Sequence, residues 1–195
     1  FIVHTGDMVS DGEIEEHWDF FFDIEADVIR NAPVYGAIGN HEEDDGEAPI
    51  YARLFHFPSS ESGSPSEFYY SFDYSNSHFL FIDGWVDVME WYFCILIGKA
   101  HDNCLTAEQH EWVEDDLEAA ADNPAIDNVF VVMHEGPYSS KPGRSGSAAI
   151  RDLMKDFGKS KVKLIISGHD HYYEHGISGN GIPYMISGGG GAPLY

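Results

Sequence analysis

The chain has 195 residues, 43% hydrophobic and 14% aromatic, which is enough for one sizeable domain with its own core and excludes a disordered chain. Its 34 acidic residues against 10 basic ones give a formal net charge of −24, which repels nucleic acid and anionic membranes. No basic patch offsets this, because Lys155, Lys159, Lys161 and Lys163 surround a single helix–strand junction, and the apolar run WYFCILIG (91–98) is well short of the roughly 20 residues of a membrane span.

Residues 1–4 read as a buried strand ending at TGD. Residues 13–31 read as a helix with Ile14, Trp18, Phe21, Phe22, Val28 and Ile29 on one face. APVYGAIGNHE is a strand running into a loop, and residues 43–67 are polar and irregular, with PSSESGSPS the most loop-like part. FYYSFDY and SHFLFID pair around the turn SNS. Residues 86–105 match no element and, with 43–67, are expected to border the pocket. Cys94 and Cys104 there are equally readable as a local disulfide or as free thiols, and no CxxC spacing marks a thiolate metal site.

LTAEQHEWVEDDLEAAAD is a helix, capped by Thr106 with Gln109 completing a capping box. NVFVVMHE is a buried strand. SAAIRDLMKDFG is a helix with Ile150, Leu153, Met154 and Phe157 inward and Gly158 as its C-cap. VKLIISGHDH is the next strand, followed by strands near 172–178 and 182–187. Strands alternate with helices early and hairpins dominate late, which predicts a layered α/β domain with mixed sheets. No repeat or linker divides the chain, so residues 1–195 read as a single domain. It opens inside a strand at FIVHTGD and stops at GGGGAPLY, and is expected to be truncated at both ends.

Four strands end alike: apolar residues run out and a ligand-type side chain follows. These are Asp7 in TGD, Asn40 and His41 in GNHE, His134 in VVMHE, and His169 and His171 in SGHDH. Singly, each reads as a turn, loop or structural residue. As a set at the carboxyl ends of sheet strands they are expected to share one crevice. His169 and His171 are two apart, which on an extended backbone puts both on one side. Nitrogen and oxygen donors without thiolate suit Mn, Fe, Zn, Co or Ni and disfavour Fe–S clusters or Cu(I).

In this order, GD, GNHE, a lone His and GHDH resemble the calcineurin-like metallophosphoesterase superfamily, whose pattern is DxH…GD…GNH(D/E)…H…GHxH. The runs FYYSFDY, TAEQHEWVEDDL, HEGPYSS, GHDHYYE and SGGGGAPLY resemble its purple acid phosphatase-like bacterial members. The resemblance covers nearly the whole chain. It implies an αββα sandwich of two mixed β-sheets flanked by helices. It implies two metal ions (Fe, Mn or Zn) bridged by Asp7. Asn40, His134 and His169 would complete one shell, and His171 would serve the other ion. His41 would be the catalytic group facing the phosphate, as leaving-group acid or transition-state stabiliser. Glu42 would orient its neighbours. Tyr138 either lines the substrate pocket or packs in the core. The implied reaction is hydrolysis of a small phosphorylated substrate by metals roughly 3.5–4 Å apart. No nucleic acid or membrane partner is expected, and the setting is secreted or periplasmic.

Three departures stand out. The opening DxH is absent, so the second ion keeps only Asp7 and His171. Ser10 stands where purple enzymes carry a tyrosine ligand, so no tyrosinate colour is expected. YER reads YEH, which leaves His175 structural or on the surface. His4, His17, His56, His78, His101 and His110 fit no pattern and are expected to be structural or exposed. The run GGGG at 188–191 lacks the Lys-Ser/Thr of a P-loop and reads as a tight-packed turn. The alternatives are a phosphodiesterase acting on small diesters or nucleotides, and a non-catalytic metal-binding domain. A metallo-β-lactamase reading fails because HDHYYEH does not supply HxHxDH.

Overall fold

Two sheets carry the fold, and the helices close over their outer faces. The computed structural model describes residues 1–43, 47–64, 66–84 and 105–195. Cys94, Cys104 and His101, with most of the expected 86–105 pocket border, lie outside the described residues. Strand β1 (Ile2–His4) pairs in parallel with β2 (Val34–Gly36), and helix α1 (Glu15–Ile29) joins them. Two short helices follow, α2 (Pro49–Leu54) and α3 (Ser59–Ser62). The six-stranded sheet contains β3 (Tyr70–Tyr74), β4 (Ser77–Phe81), β5 (Asn128–Val132), β6 (Val162–Ser167), β7 (Tyr173–Ile177) and β8 (Pro183–Ser187). Its order is β3-β4-β5-β6-β8-β7. The inner strands β4, β5, β6 and β8 run parallel, and β3 and β7 are antiparallel at the edges. Helix α4 (Ala107–Asp122) precedes β5, and α5 (Ala148–Leu153) precedes β6.

Alternation along the strands sets the layers. Leu80, Val129, Val131 and Ile165 face one core with Val113 and Leu117 of α4 and Ile150 and Leu153 of α5. Phe81 and Val132 face the other core, with Tyr70, Trp18 of α1, Tyr51 of α2, and Ala37 and Ile38 after β2. The chain is therefore an α/β sandwich of two sheets between helices. Among the described residues no helix is long and apolar enough to cross a membrane.

The local differences from expectation have physical reasons. Residues 43–67 are not all irregular: Pro49 opens α2, and Tyr51 is buried against the second core. On α1, Trp18 is buried, whereas Ile14 and Val28 are exposed. The helix spans about 22 Å over strands only about 10 Å long, so only its middle finds a partner. Thr106 caps α4 by accepting from the Gln109 N–H at 3.0 Å. The Gln109 side chain does not close the capping box; it pairs with both backbone groups of Asp83, each at 2.9 Å. The expected 147–158 helix stops at Leu153, where the Asn180 amide takes the Met154 carbonyl at 2.8 Å. Gly158 then sits within a short 3-10 helix, Asp156–Lys159, and is not a C-cap. Ile150, Leu153, Met154 and Phe157 are buried all the same.

His78 on β4 is a buried ionic clamp. Its Nδ1 lies 2.7 Å from Asp73 Oδ1 and its Nε2 2.7 Å from Asp116 Oδ2, while the Ser71 hydroxyl donates to Asp116 Oδ1 at 2.7 Å. Burial lowers the imidazole pKa, but the hydrogen bond and charge of Asp116, and then those of Asp73, outweigh it and hold the pKa above its ordinary value. A raised histidine pKa stabilises the fold fully below the unfolded value of about 6.5, and the contribution is lost as pH rises through the folded-state pKa. Asp116→Asn should therefore cost about 1–3 kcal/mol at mildly acidic pH, with the difference from wild type shrinking in alkali. Thermal midpoints of both proteins at about pH 5.5 and about pH 8.5 check this.

Candidate metal centre

The turns after β1, β2, β5 and β6 leave the carboxyl ends of their strands and meet at one point, the usual place for a site in a parallel sheet. They bring Asp7, Asn40, His134 and His169 together. His134 Nε2 lies 3.0 Å from Asp7 Oδ2, 3.1 Å from Asn40 Oδ1 and 3.0 Å from His169 Nδ1. The ligand atoms of Asp7, His134 and His169 all lie within 4.8 Å of one another.

The tautomer of His134 is fixed by the chain itself. Its Nδ1 donates to the Thr5 carbonyl at 2.7 Å, and a carbonyl can only accept. In the neutral ring, Nε2 is then a lone pair facing a carboxylate oxygen, an amide oxygen and a second imidazole nitrogen. With the His169 proton on its Nε2, these atoms form a group of acceptors that a shared positive charge would satisfy, a proton on His134 or a cation. A divalent ion that takes nitrogen and oxygen ligands fits this donor set. The proton equilibria carry the same signature. Burial lowers the His134 pKa, but the hydrogen bond and charge of Asp7 outweigh it and raise the pKa. Burial raises the Asp7 pKa, but His134 outweighs it and holds the carboxyl below its ordinary value. His169 is lowered to about 4, by burial first and then by the charge of His134.

Backbone strain collects at the same residues. Asp7 has φ 54° and His169 has φ 64°, both left-handed and neither glycine. Such conformations cost about 1–2 kcal/mol each and persist only where the surroundings hold them. At Asp7 the holder is Glu42, 2% exposed. Glu42 Oε2 accepts from the N–H groups of Asp7 and Gly39, both at 2.8 Å, and Oε1 from Met8 at 2.6 Å and Val9 at 3.3 Å. Burial and the Asp7 charge push its pKa up, against the pull of these donors. Gly6, with φ 84°, lets the strand end pass His134: a Cβ there would sit 2.8 Å from His134 Nδ1.

A cavity of about 350 Å³ opens beside this group, lined by Asp7, His134, His169, His171 and His4 among others. His171 shares the cavity but not the ligand group. Its Nδ1 lies 3.0 Å from the Pro193 carbonyl, and its ring stacks on Tyr195 at 4.9 Å. The alternation argument for His169 and His171 does not hold, because β6 ends at Ser167 and His169 is left-handed. His41 is not among the residues lining this cavity: its side chain is about half exposed, its Nδ1 lies 3.0 Å from the Ser10 carbonyl, and its N–H donates to Asp7 Oδ1 at 3.1 Å. Tyr138 packs against the core with its ring 5.0 Å from Tyr184, and it does not line the cavity. None of the described residues of 43–67 lines it either. His175 is exposed. Of the run at 188–191, Gly188 is tightly packed, while Gly190 and Gly191 face open space.

The sequence reading missed His4 and the Thr5 carbonyl. His4 lines the cavity, and its pKa falls to about 4 through burial and the charge of His134. Nothing in FIVHTGD separates this histidine from a strand filler. The carbonyl of Thr5 acts through its backbone, which no motif encodes.

The fold and this donor set define an α/β domain with a side-chain group of a kind that holds metal ions. Residues 1–173 match the calcineurin-like phosphoesterase model, and the chain belongs to that family. It is 26% identical over 193 residues to purple acid phosphatase 15 of Arabidopsis thaliana, covering 91% of this chain and 33% of that protein. The chain thus spans about a third of the length of this relative. A dimetal phosphatase from Danio rerio has a similar fold, with a TM-score of 0.66 at 14% identity, covering 94% of this chain and 70% of that one. So does GAP50, described as the anchor in the inner membrane complex of Plasmodium, with a TM-score of 0.52 at 19% identity, covering 96% and 70%.

Proposed function

We propose that this domain hydrolyses phosphate esters, phosphomonoesters first among them, with metal ions held by its strand-end residues. The observation that carries the reading is the single buried His134 Nε2, ringed by Asp7, Asn40 and His169 while its proton is committed to Thr5. In this reading Asp7, Asn40, His134 and His169 would hold a metal ion, and His171, which lines the same cavity, would contribute to a second. Bound divalent ions supply Lewis-acid charge against phosphoryl oxygens and make water acidic enough to attack near neutral pH.

The chain's own residues do the rest. Asp7 and Glu42 keep the β1 and β2 turns in register. His41, half exposed and tied to Asp7 through its backbone, would face the ester and give a proton to the leaving oxygen or stabilise its charge. His41→Ala should lower the turnover number by about 100-fold or more, with metal content unchanged. Metal analysis alongside p-nitrophenyl phosphate kinetics checks both halves.

The net charge of −24 favours a small phosphorylated substrate over polyanionic nucleic acid or an anionic membrane surface. A secreted or periplasmic setting is part of the proposal, resting on similarity to purple acid phosphatases. The test compares p-nitrophenyl phosphate with its bis-ester, before and after metal removal. Metal-dependent turnover of the monoester supports the proposal, and preference for the bis-ester turns it toward a phosphodiesterase. Metal binding with turnover of neither supports a non-catalytic domain.

A further inference from the structure

We propose that Asp170, the residue between His169 and His171, is a positioning residue that locks the turn carrying both imidazoles and ties it to the loop that follows His134. The proposal rests on the metal centre described above.

Asp170 does not line the cavity; it is 3% exposed and turned into the loop after β5. Its Oδ1 accepts from Arg144 Nη1 at 2.9 Å and from the Tyr195 hydroxyl at 3.4 Å. Its Oδ2 accepts from the Ser139 hydroxyl at 2.5 Å and lies 3.5 Å from the Tyr172 oxygen. The Ser139 oxygen also lies 3.0 Å from the Tyr172 hydroxyl, which donates to Glu174 at 3.1 Å, and Glu174 accepts from the Ser140 N–H at 3.0 Å. The β5 and β6 loops are therefore laced together through side chains that begin at Asp170.

The backbone is pinned at the same residue. The Asp170 N–H reaches the Gly168 carbonyl at 2.7 Å, and the Asp170 carbonyl accepts from the Tyr172 N–H at 2.7 Å. Two successive tight turns result, with left-handed His169 inside the first. The β8 end packs directly on the Asp170 carbonyl: a Cβ on Gly188 would lie 2.0 Å from that oxygen, so this glycine is needed for contact. The arrangement parallels the other strained ligand. Glu42 holds the strained Asp7 directly through its N–H, whereas Asp170 holds strained His169 indirectly, by fixing the residue next to it. Because His134 and His169 come from the two loops that Asp170 joins, their 3.0 Å approach depends on this tie.

The test is Co²⁺ titration of metal-stripped protein, read by calorimetry and by the visible absorption of the bound ion. Asp170→Asn keeps size and one acceptor but loses the charge that holds Arg144. It should weaken Co²⁺ binding about 10–100-fold and alter the spectrum. Leu117→Ala, a core change in α4 on the far face of the sheet, controls for general loss of stability and should bind as wild type. If Asp170→Asn does not fold, Arg144→Met, at a side chain 37% exposed, carries the same expectation. Wild-type affinity and spectrum in Asp170→Asn overturn the positioning role alone. An equal loss in Leu117→Ala also overturns it. A wild-type protein that takes no Co²⁺ overturns the metal centre and the positioning role with it.

Discussion

Asp7→Ala is expected to cut phosphoester hydrolysis by at least about 1,000-fold, the scale at which a site loses the group that organises its charge. Asp7 is the only carboxylate among the three residues whose ligand atoms cluster within 4.8 Å, so its loss leaves two imidazoles and an amide to hold any cation. The alanine also inherits a left-handed backbone at φ 54°, which adds strain unrelated to chemistry. Asp7→Asn separates the two effects. Asparagine tolerates that conformation and has the same shape, but it lacks the negative charge. Both variants should be metal-poor and inactive, with Asp7→Asn the nearer to wild type in thermal midpoint. Full activity in Asp7→Asn would remove Asp7 from the centre.

Glu42→Ala should be the most destabilising single change near the site. Four backbone N–H groups, from Asp7, Met8, Val9 and Gly39, converge on its two oxygens in a place closed to water. Each donor left unsatisfied costs about 1–3 kcal/mol, and partial relaxation brings the expected total to about 3–5 kcal/mol. For a domain of this size that lowers the thermal midpoint by roughly 10 °C or more. Glu42→Gln keeps one acceptor oxygen and should fall about half as far. A midpoint for Glu42→Ala close to wild type would mean that the β1 and β2 turns are held by something other than this carboxylate.

These two residues also show what was legible from the amino-acid order. Asp7 was legible as one of several ligand-type residues placed just after the carboxyl ends of apolar strand runs. The same logic located Asn40, His134 and His169. Strands β3 and β4 were legible from the turn between them, β5 and β6 from their apolar runs, and Thr106 as a cap from the residue types around it. What escaped depends on partners distant in sequence. Gln109 offers its amide to Asp83, not to its own helix end, because the strand end is there to receive it. His78 looks like any strand histidine until β3 and α4 bring Asp73 and Asp116 to its two nitrogens. The extended geometry expected for His169 and His171 failed because backbone sign is set by packing around Asp170 and Gly188, which spacing does not reveal. Tyr138 was divided between pocket and core, and the neighbouring Tyr184 places it with the core.

The central claim is that Asp7, Asn40, His134 and His169 surround a cation site. Anomalous diffraction from crystals of the protein soaked in Mn²⁺ tests it most directly. The account predicts a strong anomalous peak within bonding distance of Asp7 Oδ2, His134 Nε2 and His169 Nδ1. An anomalous map with no peak among those atoms, or with its strongest peak elsewhere on the acidic surface, would contradict it.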